Sequence, residues 1–314
     1  MSIREIKKHI HATKEIVRIT NVMYLQAASK LSKVRKRREQ AQRYFKEILH
    51  LVSFASANVK KKDIDLLTWR PTRTMLYVVI TPDRGFCGGL PSTINRWATT
   101  SAEEQQNRMA KESSGILPTI RYLTVGKKGR DYITRTNRNL VKAFINTQPT
   151  WALAMEIAHI SVEAFHKEEV DAVFIVYAQF NLKGPKPVVE QVLPVSLSQI
   201  NLPMATEREP IGPATGKKSS FNENILYFYA PPLENIFPGL VLRYVICHVY
   251  GALLEGIISE QYARMVAMKD ATKKAKETLD DLNVAYNVAR QAQITSDLLE
   301  VISATEALGH QLFP

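Results

Sequence analysis

The first 70 residues contain neither glycine nor proline, so nothing in them interrupts a helix. Side chains at alternating steps of three and four read Ile3, Ile6, Ile10, Thr13, Val17, Thr20, Tyr24, Ala27, Leu31, Val34, Arg38, Ala41, Phe45, Ile48, Val52 and Ala55. Thirteen of these sixteen are apolar, over nearly eight heptads. That is a narrow seam for one partner helix, not the wider stripe of a helix lying on a core. At 1.5 Å per residue such a helix is about 80 Å long.

The other end of the chain offers the partner. From Ile257 to Leu308 there is again no Gly or Pro. Met265, Met268, Ala275, Leu279, Leu282, Tyr286 and Ala289 give a seam that drifts on through Ala292, Leu299 and Ile302. Lys273–Glu277 and Lys276–Asp280 are opposite charges one turn apart on the solvated side. Helices are expected over 1–62 and 239–310.

Between them the pattern changes. Met75–Ile80 reads as a buried strand, followed by the turn Asp83-Arg84-Gly85-Phe86-Cys87-Gly88-Gly89. A helix from about Ser92 to Lys111, a strand at Ile120–Val125, a helix at Trp151–His166 and strands at Asp171–Phe180 and Lys186–Val195 follow. Strands alternating with helices indicate an α/β, Rossmann-like domain with a largely parallel sheet over 71–230. Residues 202–224, rich in Pro, Gly, Ser and charge, read as a mobile loop within it. A domain of about 170 residues is roughly 40 Å across. It cannot cover two helices of twice that length, so their seams must bury against each other.

The net charge of +12 has one location. Residues 1–62 hold 16 Lys/Arg against 4 Asp/Glu, and the remainder holds 26 of each sign. A localised basic element meets phosphate, anionic lipid or an acidic protein surface, or is simply a solvated helix face. The longest apolar-leaning run, Phe237–Ile258, is broken by Arg243, His248 and Glu255 and falls short of a run of about 18 apolar residues. The start, Met1-Ser2-Ile3-Arg4-Glu5, has no leader character, and Cys87 and Cys247 match no metal or redox spacing. A soluble chain in a reducing compartment is expected.

Specific segments then carry a resemblance. Ser259–Thr272 (SEQYARMVAMKDAT), Tyr286–Thr295 (YNVARQAQIT), Arg18–Met23 with Ala27–Leu31, and Asp83–Leu90 (DRGFCGGL) resemble the gamma subunit, the central rotor shaft, of F-type ATP synthases. They occur in the family's order along nearly the whole chain. The resemblance implies an antiparallel coiled coil of the terminal helices inside a ring of three alpha and three beta subunits. It implies a central α/β domain seated on the membrane c-ring beside an epsilon-type (or delta-type) small stalk subunit. It also implies a non-catalytic part that binds no cofactor, metal or nucleic acid and lies peripheral to the membrane rather than inserted. The cytoplasmic face of a bacterial inner membrane is the expected place, with the inner face of an organellar coupling membrane as the alternative.

Site residues follow from the resemblance. Arg290 and Gln291 match shaft residues that hydrogen-bond a loop of one beta subunit, and a guanidinium suits bidentate carboxylate binding. Without the family, the pair reads as ordinary helix surface. Met23 matches the position facing the acidic lever loop of the beta subunit; simple seam packing is the competing reading. Arg264, within the strongest motif, is assigned to the same alpha/beta head. The run Arg35-Lys36-Arg37-Arg38 is expected to meet acidic loops of the beta subunits. Tyr227 and Tyr229 match aromatic residues that seat the domain on the membrane ring, or pack in a core. Ala230 stands where many members carry Glu. The tip Ile294–Leu308 would sit in an apolar sleeve of the head.

Two rivals come from other classes. A basic coiled coil that binds nucleic acid places its basic region before the zipper, whereas here heptads flank Arg35–Arg38 on both sides. An α/β enzyme with helical arms would need a convergent catalytic set, and none is visible. Gly212–Ser219 misses the phosphate-loop spacing, and Gly85–Gly89 misses a dinucleotide fingerprint.

Overall fold

The structure, a computed structural model, describes residues 2–56, 65–112, 117–181, 184–196 and 232–312. The expected loop 202–224 and Tyr227 and Tyr229 lie outside these residues. Packing gives two compact units. A helical unit holds Met1–Lys30, Phe86–Gly88 and Gln261–Pro314, and an α/β unit holds Leu31–Gly85 and Gly89–Glu260. The division by packing thus falls within both long helices.

Helix α1 spans Ile3–Ser56. All sixteen seam positions are buried or half-buried, and nearly every residue between them is exposed. In the helical unit, Ile6, Ile10, Ala27 and, on the last helix, Met268 are the buried apolar members of the seams. Thr20 Oγ1 and Thr272 Oγ1 meet at 2.8 Å across the pair.

The sheet of the α/β unit is built from strands β1 (Thr74–Ile80), β2 (Thr119–Val125), β3 (Leu140–Phe144), β4 (Ala172–Asn181) and β5 (Gly184–Leu193), in the order β3-β2-β1-β4-β5. β1 lies parallel to both neighbours, with Val78 opposite Leu123 on one side and Ile175 on the other. Buried on both faces, it reads as the continuous run Met-Leu-Tyr-Val-Val-Ile rather than an alternation. β5 closes one edge antiparallel to β4.

Helices α2 (Leu90–Glu112), α3 (Lys127–Arg135) and α4 (Trp151–His166) connect the strands. α4 begins where Thr150 accepts the Leu153 N–H, and it buries Leu153, Ala154, Ile157, Ala158, Val162 and Phe165 at helical spacing. Asp171 fixes the strand starts, accepting the N–H groups of Arg73 and Thr74 at 2.8 and 3.0 Å.

Two elements were not foreseen. α3 is nine residues of mostly charged sequence that bury only Gly129 and Ile133, and β3 has a single buried side chain, Phe144. Neither carries enough apolar period to announce itself. The last helix, α5, spans Leu233–Leu312 and runs through Pro238, ahead of the expected start at 239. Buried Phe237 and Val241 on either side of the proline hold that turn despite the lost N–H.

By composition, Asn235–Ser303 of α5 contains a window apolar enough to cross a membrane. Its apolar side chains Val241, Val245, Val249, Leu253 and Leu254 are instead buried in the α/β unit. The three residues that interrupt that stretch are each engaged. Arg243 Nε donates to Tyr44 OH at 2.9 Å, His248 Nε2 faces Glu190 at 3.4 Å, and Glu255 pairs with Arg38. Helix α1 meets α5 antiparallel in this unit, since Arg38 pairs with Glu255 and Phe45 stacks on Tyr244.

Candidate functional site

Open parallel sheets bind nucleotides in the crevice outside the carboxyl ends of their strands. Here that crevice is built closed. Asp83, just past β1, accepts the Lys127 N–H at 2.8 Å and so occupies the N-terminus of α3, where a phosphate would sit. Thr81 Oγ1 accepts the Gly129 N–H at 2.8 Å. Gly126, at φ +100°, lies so close to the Thr81 carbonyl that a Cβ would collide with it. Gly256 of α5 lies close against the Ile80 side chain, where a Cβ would press on its Cγ2 methyl. A cavity of only about 40 Å³ is left beside Thr81, Asp83 and Gly126.

A larger cavity of about 690 Å³ lies in the same unit, bounded by α1, α5, β4 and β5. Its titratable groups are bound to one another rather than directed at a common point. Glu190 accepts the Tyr177 hydroxyl at 2.9 Å and faces His248, while Glu255 holds Arg38 and the Phe180 N–H. Burial pushes the Cys247 thiol up to about 11, leaving it a poor nucleophile. Burial also pushes His248 down, with Glu190 offsetting only part of the effect. Among the described residues, no group of three metal-binding side chains occurs.

The helical unit presents a different kind of surface. Ile16, Ile19, Val22 and Leu25 on α1 lie off the seam and are 51–59% exposed. On α5, Val284 and Val288 are exposed likewise, followed by Ile294, Leu298, Leu299, Val301 and Ile302. Carried along both helices, the register that joins Thr20 to Thr272 brings Ile3 opposite Ala289. Ala289 is the last half-buried residue, and every position from Arg290 to Ser303 is exposed. The expected continuation of the buried seam through Ala292, Leu299 and Ile302 is therefore corrected: α1 has ended, and these three positions of α5 are exposed. Contiguous exposed apolar side chains on a helix mark a surface made for another protein.

The family profile described as ATP synthase matches residues 2–308. The ATP synthase gamma chain of Dehalococcoides mccartyi is 35% identical over 313 residues, covering 98% of this chain and 99% of that one. The chain belongs to the ATP synthase gamma-chain family.

Solved structures agree on the fold. A chain of the Euglena gracilis mitochondrial ATP synthase, in a structure of its OSCP, F1 and c-ring, superposes with a TM-score of 0.62 at 18% identity, covering 99% of this chain and 96% of that one. A chain from the central stalk and c-ring of the Tetrahymena thermophila mitochondrial ATP synthase gives 0.52 at 23% identity, covering 81% and 99%.

The residues singled out by the gamma-chain motifs occupy distinct settings. Arg290 and Gln291 are the first two positions of α5 beyond the half-buried Ala289, both exposed. Met23 is half-buried at the margin of the α1 seam, beside Tyr24. Arg264 is half-buried at the start of the helical unit's share of α5. Helical geometry splits the basic run. Arg35, Lys36 and Arg37 are exposed, Arg35 with its guanidinium over the Phe180 ring at 4.9 Å, while Arg38 turns in to Glu255. The inward turn of Arg38 and the contact of Arg35 with Phe180 had no signal in the sequence beyond their i, i+3 spacing and the heptad position of Arg38.

Proposed function

We propose that this gamma-family chain is the central rotating stalk of an F-type ATP synthase, coupling ion flow through a membrane ring to nucleotide turnover in an alpha/beta ring. The observation that supports this most is the exposed apolar surface of the helical unit, together with an α5 whose positions from Arg290 to Ser303 are all exposed. A two-helix unit of this kind is suited to burial inside a surrounding ring. The stalk, c-ring and F1 named for its structural relatives supply the partners of the reading.

In this reading the chain performs no chemistry. Its angular position acts as a ligand with different affinity for open and closed catalytic conformations, so rotation and nucleotide release are linked reciprocally. Arg290 and Gln291 hydrogen-bond a loop of one beta subunit, Met23 slides past the acidic lever loop, and Arg264 contacts the same head. Lys36 and Arg37 face acidic loops of the beta subunits. Tyr227 and Tyr229 seat the α/β unit on the c-ring beside an epsilon-type (or delta-type) subunit. The chain binds no cofactor and lies peripheral to a coupling membrane, at the cytoplasmic face of a bacterial inner membrane.

Reconstitution tests the reading. The purified chain is mixed with cognate alpha and beta subunits, and complex mass and multi-turnover ATPase are measured. One copy per three-plus-three ring, with activity appearing only then, is the expected result. Failure to assemble, with a salt-dependent shift of DNA instead, would hand the basic helix to the nucleic-acid reading.

A further inference from the structure

Glu255 is a buried carboxylate at which three elements of the α/β unit meet. One oxygen pairs with the guanidinium of Arg38 on α1, and the other accepts the Phe180 N–H at the end of β4 at 3.3 Å. One turn further along α5, the fully buried Ser259 donates to the Ala178 carbonyl at 2.7 Å. One turn back along α1, Arg35 lies over the Phe180 ring. Two successive turns of α5 are thus fastened to Ala178 and Phe180 of one strand, and two successive turns of α1 to Phe180 and to Glu255.

The surrounding core does not need these contacts to hold the helices down. Val52 and Ala55 of α1 and Val241, Val245 and Leu253 of α5 already pack in the same cluster. Apolar contacts are non-directional, however, and fix no hydrogen-bonded register between a helix and a particular strand residue. A buried ion pair is a poor source of net stability but fixes orientation, because its geometry is specific and a displaced partner leaves a buried charge unpaired. Burial raises the Glu255 carboxyl above the ordinary range, and Arg38 and the Phe180 N–H offset only part of that.

We propose that Arg38, Glu255 and Phe180 form a torque-transmitting joint: positioning residues that lock α1 and α5 to the sheet so that torque passes between sheet and helices without slip. The inference rests on the reading of the chain as a rotating stalk. It assigns Arg35 and Arg38 to the joint and leaves Lys36 and Arg37 as the outward, partner-facing half of the basic run.

The test uses the whole synthase in sealed vesicles. ATP-driven ion pumping and ATP hydrolysis are measured together as the opposing ion gradient is raised. Glu255→Gln keeps an acceptor for the Phe180 N–H while removing the ion pair and leaves Arg38 in partial contact with solvent; Arg38→Met with Glu255→Gln leaves no buried charge and retains a packed unit. Ions pumped per ATP should fall about threefold or more under a high opposing gradient, with unloaded hydrolysis within twofold of the parent. Arg38→Lys should keep most of the parent ratio, and Lys46→Gln, at an exposed position of α1, should leave the ratio unchanged. A constant ratio in both joint variants, or pumping and hydrolysis falling in proportion, overturns the joint. A parent synthase that hydrolyses ATP without pumping overturns the stalk reading itself, and the joint with it.

Discussion

Thr20 and Thr272, 252 positions apart in sequence, share a hydrogen bond of 2.8 Å in the seam of the helix pair. Each hydroxyl also reaches a carbonyl of its own helix, Ile16 O at 2.9 Å and Met268 O at 2.7 Å. With one proton apiece, one threonine bonds back to its own helix while the other donates across. Such a pair adds little net stability but fixes register, since a one-step slip would leave a polar group facing apolar neighbours. Thr20→Val and Thr272→Val, alone and together, should give a coupling energy of about 0.5–1 kcal/mol in a double-mutant cycle read by urea unfolding. A coupling within error of zero would mean the contact does not hold the register.

Gly126 occupies a place no other residue can. At φ +100°, beside the Thr81 carbonyl, its N–H donates to Phe144 O at 2.7 Å, joining the ends of β1, β2 and β3. Gly126→Ala should destabilise the α/β unit by about 2–4 kcal/mol through backbone strain and the collision with Thr81. Chemical denaturation with a probe of the sheet measures it; a change under about 1 kcal/mol would mean the crevice can open.

His248 makes the α/β unit sensitive to acid. Burial lowers its pKa below the ordinary 6.5, so the unfolded chain takes up a proton that the folded unit refuses. The stabilisation is fully present above pH 6.5 and is lost as pH falls from there through the depressed folded value. Glu190 faces the ring and tempers the effect. His248→Gln, which keeps a donor toward Glu190, should flatten the fall in stability below pH 6.5 relative to the parent. Parallel pH profiles would remove His248 from the account.

How far the sequence announced the fold depended on whether a signal was periodic. The α1 seam was legible because thirteen apolar residues repeat over nearly eight heptads, and each of its sixteen positions is covered. β1 and β4 were legible as continuous apolar runs. α3 and β3 were not, since their places are set by Gly126, Asp83 and the edge of the sheet rather than by their own apolar content. Of the candidate site, family motifs singled out Arg290 and Gln291. Their position just past the end of the pairing needed the register of Thr20 and Thr272. The inward turn of Arg38 became visible only with Glu255 opposite it.

Arg290 and Gln291 separate folding from assembly. Both are exposed, so Arg290→Ala with Gln291→Ala should leave the isolated chain within about 0.5 kcal/mol of the parent in thermal unfolding. In the assembled complex the same change should lower ATPase about tenfold, as expected for loss of a charge-assisted hydrogen bond. Equal activity would move the beta-subunit contact elsewhere on α5.

Rotation of the chain inside an immobilised alpha/beta ring tests the central claim most directly, read from a bead fixed to the α/β unit. With ATP the account predicts continuous turning in one direction, with three equal dwells per revolution, one for each beta subunit. A bead that shows only Brownian wobble while the same complexes hydrolyse ATP would contradict it.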